Sequence, residues 1–208
     1  MKITWIGHSC FKIESNDYSL VIDPYEDGSV DGLAPVREKA CMVLCTHEHG
    51  DHNFRDGVEI LASSFSPLSI ETIESFHDDA HGAKRGRNKI FIISDGRTRI
   101  AHFGDLGECP EDIGMLEGLD VALIPVGGFF TIDGNTAAEI IETINPRIAI
   151  PMHYRNDEKG FGFDVLSTLE PFVKCLKHVS YLDGSSIDTD VVSESGVIVL
   201  SPKALRNS

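Results

Sequence analysis

Three histidines and two acids fall within six consecutive positions of the chain, in the segment His47-Glu48-His49-Gly50-Asp51-His52. His47 and His49 are two residues apart, so in an extended backbone their side chains leave on the same side. Two imidazoles on one side can bind a single cation. Gly50 permits a sharp change of direction, so Asp51 and His52 can face a second ion beside the first. The segment therefore predicts a metal site.

Further candidate ligands lie where predicted strands run out into loops, the usual place for site residues on a rigid scaffold. Asp105 and His153 each follow a predicted strand, and His77 follows the segment 69–76, which fits neither a helical nor a strand period. Each signal is weak alone, because a strand-end aspartate is more often a turn former and a lone histidine a satisfied polar group. Together with the 47–52 cluster, these residues supply the donors that two metal ions need.

Composition limits the partners that the protein can have. The chain carries 18 basic and 33 acidic residues, a net charge of −15. Such an acidic surface repels phosphate backbones and anionic membranes, so we expect neither nucleic acid nor a membrane as partner. Five cysteines without a C-x-x-C pair, and no apolar run long enough for a signal peptide or a membrane span, indicate a cytoplasmic protein. Oligomeric state leaves no trace in the sequence.

The chain opens with strands in an antiparallel meander and later alternates strands with helices, which predicts a single α+β domain, residues 1–208, with a sheet core covered by helices. The predicted strands are 2–6, 10–14, 19–22, 42–45 (buried), 58–62, 89–94, 98–103, 121–125, 147–150, 179–182 and 196–200. The predicted helices are a short one before Cys41, 110–117, a helix capped by Asn135 that ends at Ile144, and 164–174.

The segment from Thr46 to His52 matches the H-x-H-x-D-H signature of the metallo-β-lactamase superfamily, and the chain resembles that family over nearly its whole length. The other motif positions are Asp23 before Pro24, His77 as the next histidine, Asp105 as the bridging aspartate and His153 as the final histidine. The segments 77–79, 85–88, 102–107 and 124–128 resemble a small prokaryotic branch of metal-dependent hydrolases, related to ascorbate-phosphate lactonase-like enzymes. The resemblance implies a four-layer αββα sandwich with metals at one edge of the two sheets.

The resemblance also implies a ligand set for two divalent metal ions. The first ion is assigned to His47, His49 and His77, the second to Asp51, His52 and His153, and Asp105 bridges both. Histidine and carboxylate together suit zinc, which we expect, and also manganese, iron or nickel. Ions about 3.5–4 Å apart can share a water and lower its pKa toward about 7, so that the hydroxide attacks a carbonyl or phosphoryl centre. Asp51 and Asp105 are the predicted catalytic residues.

The sequence leaves the third ligand of the first metal open. His77 is favoured, and the competitors are His102, Asp78, Asp79 and His81. Outside the metal site, His102 is expected to be a buried hydrogen-bonding partner on the strand that leads to Asp105. Asp23 is expected to accept the free N–H of a ligand histidine.

Several residues are candidates for the pocket around the metals. His8 can line the pocket or serve only as a strand-end polar residue. Tyr154 and Arg155 can orient an anionic substrate or an oxyanion, although an exposed loop pair is the alternative. The loop 127–133, with Phe129 and Phe130, is a candidate for the pocket wall, and core packing is the competing explanation for both rings.

Three classes of function are compatible with these residues. The leading hypothesis is a metal-dependent hydrolase of a small ester, lactone, amide or phosphodiester. A di-iron oxidoreductase on the same scaffold is the second, and it is weakened because the chain has no room for a flavin domain. The third is a binding module whose metals only hold the fold. Asp51, beside a full set of histidines, favours an active site over a structural one.

Overall fold

The computed structural model describes residues 1–63 and 65–206 and consists mainly of β-sheet. The strands are β1 Lys2–Gly7, β2 Cys10–Ser15, β3 Tyr18–Ile22, β4 Glu38–Ala40, β5 Met42–Leu44, β6 Val58–Ile60, β7 Ser69–Phe76, β8 Arg87–Ser94, β9 Arg99–His102, β10 Val121–Pro125, β11 Ile148–Met152, β12 Val179–Tyr181, β13 Ser186–Asp188 and β14 Gly196–Val199. The helices are α1 Gly134–Ile144 and α2 Glu170–Lys174, with short 3-10 segments at Arg55–Gly57 and Ile113–Leu116.

The first sheet has five strands in the order β13-β1-β2-β3-β5. Strands β1, β2 and β3 form the predicted antiparallel meander. The turn between β2 and β3 places Asn16 at a φ of 52°, a left-handed conformation that asparagine tolerates better than most residues. β5 lies at the edge of the sheet, parallel to β3. Its residues are therefore half-buried, and the prediction of a fully buried strand was wrong.

The second sheet has seven strands in the order β12-β14-β11-β10-β9-β8-β7. The pairs β9–β10, β10–β11, β11–β14 and β14–β12 are parallel, whereas β7–β8 and β8–β9 are antiparallel. The β8–β9 hairpin lies where the sequence predicts it. Its turn is held by the Asp95 carboxylate, which accepts the backbone N–H of Arg97 at 3.0 Å and of Thr98 at 2.9 Å.

Helix α1 begins close to its predicted start but with a different cap. Asp133, and not Asn135, is the N-cap, because its carboxylate accepts the Thr136 N–H at 2.9 Å. The helix ends at Ile144, where Asn145 adopts a φ of 44° before Pro146. α1 packs on β10 and on α2, so it covers the seven-stranded sheet. Within the described part of the chain, no helix is long and apolar enough to cross a bilayer.

The other predicted helices were wrong in extent or type. Of the predicted helix 164–174, only Glu170–Lys174 is helical, because Pro171 lacks an N–H and fits only the first turn. The segment 110–117 contains only the 3-10 turn Ile113–Leu116. The segment before Cys41 is not helical, since Glu38–Ala40 pairs in parallel with β6 as strand β4.

Two strands, β7 and β13, lack a clear alternation of apolar residues in the sequence. β7, which the sequence left ambiguous, is a continuous strand at the edge of its sheet, and solvent on that edge weakens the alternation of apolar residues. β13 was not predicted. It has three residues that pair with the start of β1, and a strand so short shows no recognisable period.

A hydrophobic core lies between the two sheets and joins them. The Trp5 ring, on β1, stacks on the Tyr154 ring with centroids 5.7 Å apart. The Phe11 ring, on β2, meets the His102 ring of β9 edge-on at 5.8 Å. His102 also donates from Nε2 to the Ser9 carbonyl at 2.8 Å. This packing brings strand ends from both sheets to one edge, as the αββα class requires.

Candidate metal centre

Every candidate ligand follows the end of a strand, and both sheets contribute. The donors are His8 after β1, Asp23 after β3, the 47–52 segment after β5, His77 after β7, Asp105 after β9 and His153 after β11. Apart from His49 and Asp51, these donors are buried. The structure thus brings together residues that are up to 145 positions apart in the chain, the separation of His8 and His153 (153 − 8).

The backbone turns sharply at three of these strand ends. His8, Asp23 and His153 have φ values of 52°, 49° and 53°. This left-handed conformation is rare for residues other than glycine and costs on the order of 1 kcal/mol each. Such strain persists only where the surroundings enforce it, and it clusters at functional sites. Three strained residues lie at this one edge, and this backbone strain is a second indication, besides the residue types, that the edge is a functional site.

The Asp105 carboxylate lies at the centre of the site. Its Oδ2 is 3.1 Å from Nε2 of His52 and 3.1 Å from Nε2 of His153. The same oxygen is 3.3 Å from Nε2 of His77 and 4.0 Å from Nε2 of His47. One carboxylate thus faces histidines from both predicted ligand groups, which is the position that a bridging ligand requires.

In three of these histidines, Nδ1, the ring nitrogen that faces away from Asp105, already donates a hydrogen bond. His52 Nδ1 donates to Asp23 Oδ2 at 2.9 Å, and His77 Nδ1 donates to the Phe130 carbonyl at 3.1 Å. Thr46 Oγ1 donates to Asp23 Oδ2 at 2.7 Å and lies 3.0 Å from His47 Nδ1. The Thr46 hydroxyl therefore accepts the proton of His47 Nδ1.

This arrangement fixes the direction of the lone pairs. With a proton on each Nδ1, the Nε2 atoms of His47, His52 and His77 face the Asp105 carboxylate, and each ring in its neutral form presents a lone pair to that carboxylate. Lone pairs and an anion repel one another unless a cation lies between them. The buried Nε2 atoms of His47, His52 and His153 also have no hydrogen-bond partner among the described residues. The donor set therefore fits divalent metal ions.

Two groups of donors have a size that suits one metal ion each, and a third group, Asp23 with His47 and His52, overlaps both. His47, His49 and His77 offer ring nitrogens that all lie within 4.8 Å of one another. His8, Asp51, His52 and His153 form a second group within the same limit. The first group matches the predicted ligands of the first ion, and the second contains those of the second ion together with His8.

His8 was only a pocket candidate in the sequence, and the structure places it beside the second group. Its Nε2 lies 3.4 Å from Asp51 Oδ2, and its ring lies 4.1 Å from the His153 ring, centroid to centroid. Neither His8 nitrogen has a hydrogen-bond partner that meets the usual geometry among the described residues. The Gly7-His8-Ser9 motif is short, so spacing alone could not reveal this contact.

The protonation states suit metal binding. Burial lowers the pKa of His47 to about 3, and burial together with His153 lowers the pKa of His8 to about 4. Burial opposes the charge of Asp105, but His153 and His52 outweigh it and hold the Asp105 pKa well below its usual range. Burial acts on His52 too, yet Asp105 and Asp23 raise its pKa well above 6.5. A metal ion would take the place of the proton that His52 otherwise holds.

The competitors of His77 have other partners. Both nitrogens of His102 are used, because Nε2 donates to Ser9 and Nδ1 accepts the Gly104 N–H at 3.1 Å. Asp79 pairs with Lys84 at 2.6 Å, and His81 pairs with Glu108 at 2.9 Å. These contacts favour His77 as the third donor of the first group.

Asp78, the remaining competitor, organises the loop that follows His77. Its carboxylate accepts four backbone N–H groups, from Ala80 at 2.9 Å, Gly82 at 3.0 Å, Lys84 at 3.0 Å and Arg85 at 2.6 Å. Burial raises the pKa of Asp78, but these donors, Arg85 first, bring it down to about 2. Gly107 packs against this loop so closely that a side chain there would collide with the Asp78 backbone nitrogen.

A cavity of about 260 Å³ opens onto the site. Its lining residues are His49, Asp51, His77, Arg85, Asp105, Phe130 and Phe163. Phe130 thus belongs to the wall as predicted for its loop, whereas Phe129 is 63% exposed. Sequence analysis did not assign Arg85 or Phe163 to the site, because neither has a spacing that marks it.

Tyr154 and Arg155 do not line this cavity, although the sequence offered them as pocket residues. Tyr154 is buried, and its ring packs on the rings of Trp5 and Phe161 at 5.7 Å each. Arg155 lies 3.3 Å from Asp157 across an ion pair. Strand β11 ends at Met152, and the left-handed turn at His153 directs the next residues into the core.

The chain is similar to known proteins over most of its length. A family model described as "Beta-lactamase superfamily domain" matches residues 2–153. A UPF0173 protein of Pyrococcus abyssi is 33% identical, over 74% of this chain and 83% of its own length. A UPF0173 metal-dependent hydrolase of Desulforamulus reducens is 32% identical, over 74% and 84%. A metallo-beta-lactamase superfamily structure from Thermotoga maritima has a TM-score of 0.74 at 26% identity, covering 96% of this chain and 97% of that one.

The chain therefore belongs to the metallo-β-lactamase superfamily. Within it, the chain falls among the metal-dependent hydrolases, so the predicted family, αββα fold and hydrolase class are confirmed. The His and Asp clusters support the binding of divalent metal at this edge.

Proposed function

We propose that the protein hydrolyses a small ester, lactone, amide or phosphodiester with two divalent metal ions at the strand-end site. The observation that carries the proposal is the convergence of histidine Nε2 atoms on the buried Asp105 carboxylate, an arrangement that a cation stabilises. His47, His49 and His77 would hold the first ion, and Asp51, His52 and His153 would hold the second, with Asp105 placed to serve both. Zinc is the proposed metal, because histidine nitrogen with carboxylate oxygen suits it.

The metals and the chain divide the chemistry between them. When bound, divalent ions would supply polarisation of the scissile carbonyl or phosphoryl group and activation of a water molecule as the nucleophile. The chain orients the ligands. Asp23 holds His52 through Nδ1, and the Phe130 carbonyl holds His77 in the same way. His8 Nε2 lies 3.4 Å from Asp51 Oδ2, so the His8 ring limits the space in which that carboxylate can rotate.

The cavity sets the size of the substrate. Its volume of about 260 Å³ is small for a ligand site, so it admits a compact molecule or the reacting end of a longer one. Phe130 and Phe163 form an apolar part of the cavity wall, which also includes the carboxylates of Asp51 and Asp105. A wall of this kind excludes bulk water, which strengthens electrostatic interactions at the reacting group.

Metal removal tests the proposal. We expect hydrolysis of a panel of nitrophenyl esters, lactones and phosphodiesters to fall to background after dialysis against a chelator and to return with two equivalents of zinc. Magnesium should not restore it, because Mg²⁺ prefers oxygen ligands in octahedral geometry. Metal content is measured on the same samples by mass spectrometry.

Three results would contradict the proposal. Hydrolysis that survives complete metal removal would show that the cluster is not the catalytic centre. Redox-active iron without chelator-sensitive hydrolysis would support the di-iron oxidoreductase. Tightly bound metal with no turnover of any substrate in the panel would support a binding module.

A further inference from the structure

Arg85 is the basic side chain among the residues that line the 260 Å³ cavity. It also lines a neighbouring groove of about 550 Å³, whose other charged lining residues are Arg87, Lys89, Glu48 and Glu74 and whose lining includes His47 and His49. The groove and the cavity share both His49 and Arg85. A molecule that enters the metal site from the groove therefore passes this side chain.

The structure holds Arg85 in place from two sides. Its backbone N–H donates to Asp78 Oδ2 at 2.6 Å, in the loop that carries His77. Its guanidinium carbon lies 5.2 Å from the centre of the Phe130 ring and 5.9 Å from that of Phe129, a cation–π arrangement. Phe130 is also the residue whose carbonyl orients His77. The position of the guanidinium is thus tied to that of a metal ligand.

The Arg85 guanidinium has no acidic partner among the described residues. The basic neighbours Lys84 and Arg55 pair with Asp79 and Glu48, at 2.6 Å and 3.0 Å. A guanidinium that rests on an aromatic ring keeps its N–H groups free at the rim, where they can form paired bonds to a carboxylate or phosphate. Arg85 therefore combines a fixed position with unused donors.

The charge around Arg85 contrasts with the rest of the protein. Arg87 and Lys89 follow Arg85 at intervals of two residues, and both are exposed. Lys89 is paired across the β7–β8 ladder with an acidic residue, Glu74, whereas Arg85 and Arg87 are not paired with an acid there. The chain as a whole has a net charge of −15 and repels anions. A local group of cations on such a surface concentrates anions at one place.

We propose that Arg85 binds an anionic group of the substrate, so that the enzyme acts on molecules that carry a carboxylate or a phosphate beside the bond to be cleaved. The proposal names the substrate class of the site and rests on the proposed hydrolase function. Arg85 is a specificity-determining residue in this role. Phe130 positions it, and the metal ligands do not depend on its charge.

A binding experiment tests the proposal without relying on turnover. Inorganic phosphate and, separately, succinate are titrated into the zinc-loaded protein by calorimetry, for the wild type, Arg85→Ala and Arg85→Lys. Arg97→Ala is the matched control. It removes the same charge from an exposed arginine in the turn that follows the other end of β8. We expect Arg85→Ala to weaken binding of at least one anion by about tenfold or more. Arg85→Lys should fall between it and the wild type, while Arg97→Ala stays within about twofold.

A paired substrate experiment gives a second readout. Mono-nitrophenyl succinate carries a free carboxylate and nitrophenyl butyrate does not, so the ratio of their kcat/KM values reports recognition of the anion. This ratio should fall about tenfold or more in Arg85→Ala and stay unchanged in Arg97→Ala. Zinc content must match the wild type in every variant, which separates this role from a loss of the metal site.

The outcomes distinguish this proposal from the proposed function. Anion binding weakened in Arg85→Ala, with no hydrolysis by any form, would support the anion site and contradict the hydrolase. Unchanged anion binding and an unchanged substrate ratio in Arg85→Ala would overturn the anion site, whatever the hydrolysis rate. An equal loss in Arg97→Ala would overturn it as well, because the effect would then come from net charge. The anion with the larger loss identifies carboxylate or phosphate.

Discussion

Replacing Asp105 with asparagine is expected to reduce kcat/KM by more than about a hundredfold and to reduce the zinc content to one ion or fewer per chain. Outer hydrogen-bonding partners of metal ligands are alone worth about 10- to 100-fold in affinity or activity, and a direct bridging ligand should cost more. Asparagine keeps the size of the side chain, and its backbone N–H can still donate to Asn88 Oδ1, as Asp105 does at 3.0 Å. The change therefore removes charge without opening a cavity.

Zinc content and kinetics are measured together on Asp105→Asn, with Asp112→Asn as the control. Asp112 is exposed, so this control removes the same charge away from the site. Thermal unfolding followed by circular dichroism shows whether the variant is folded. A folded Asp105→Asn variant that keeps two zinc ions and wild-type turnover would rule out Asp105 as the bridge.

Replacing Asp23 with asparagine is expected to destabilise the protein by about 3–5 kcal/mol, the usual cost of breaking a buried ion pair from one side. Asp23 is 0% exposed. It accepts the Thr46 N–H at 2.7 Å, the Thr46 hydroxyl at 2.7 Å and His52 Nδ1 at 2.9 Å. Burial opposes its charge, yet His52 outweighs it and keeps the Asp23 pKa below its usual value. Asparagine can retain one acceptor and tolerates the left-handed φ of 49°.

The same variant should weaken zinc binding at the second position by about 10- to 100-fold, because His52 loses the partner that orients it. Stability is measured by urea unfolding of the metal-free protein, and affinity by competition with a chelating dye. Thr46→Val serves as a comparison for which we expect a smaller loss of stability than for Asp23→Asn. It keeps the Thr46 backbone N–H and removes the hydroxyl contacts with Asp23 and with His47 Nδ1, for which we expect about 1–3 kcal/mol. Asp23→Asn with wild-type stability and zinc affinity would contradict the assigned role.

The metal-binding role of the 47–52 segment could be predicted from the sequence because its candidate ligands are neighbours in the chain. His47 and His49 have the spacing of an extended chain, and the glycine before Asp51 marks the turn. The remaining donors needed the family resemblance, since His77, Asp105 and His153 are separated by long stretches and each is ambiguous alone. The structure brings all of them to one edge, because the strands before them run side by side or face each other across the core.

What the sequence did not predict depends on tertiary contacts. Arg85 and Phe163 join the cavity wall only after the loop held by Asp78 has folded against the sheet. Tyr154 was expected near the substrate but packs on Trp5, because the turn at His153 redirects the chain. The segment 164–169 has a helical pattern of apolar residues, yet the helix forms only from Glu170, where Pro171 fits the first turn.

Anomalous diffraction from zinc-loaded crystals, recorded on both sides of the zinc absorption edge, tests the central claim most directly. We predict two zinc peaks about 3.5–4 Å apart. One should contact His47, His49 and His77, and the other Asp51, His52 and His153, with Asp105 between them and ligand distances of about 2.0–2.2 Å. A single peak, or peaks held by other residues, would contradict the two-metal account.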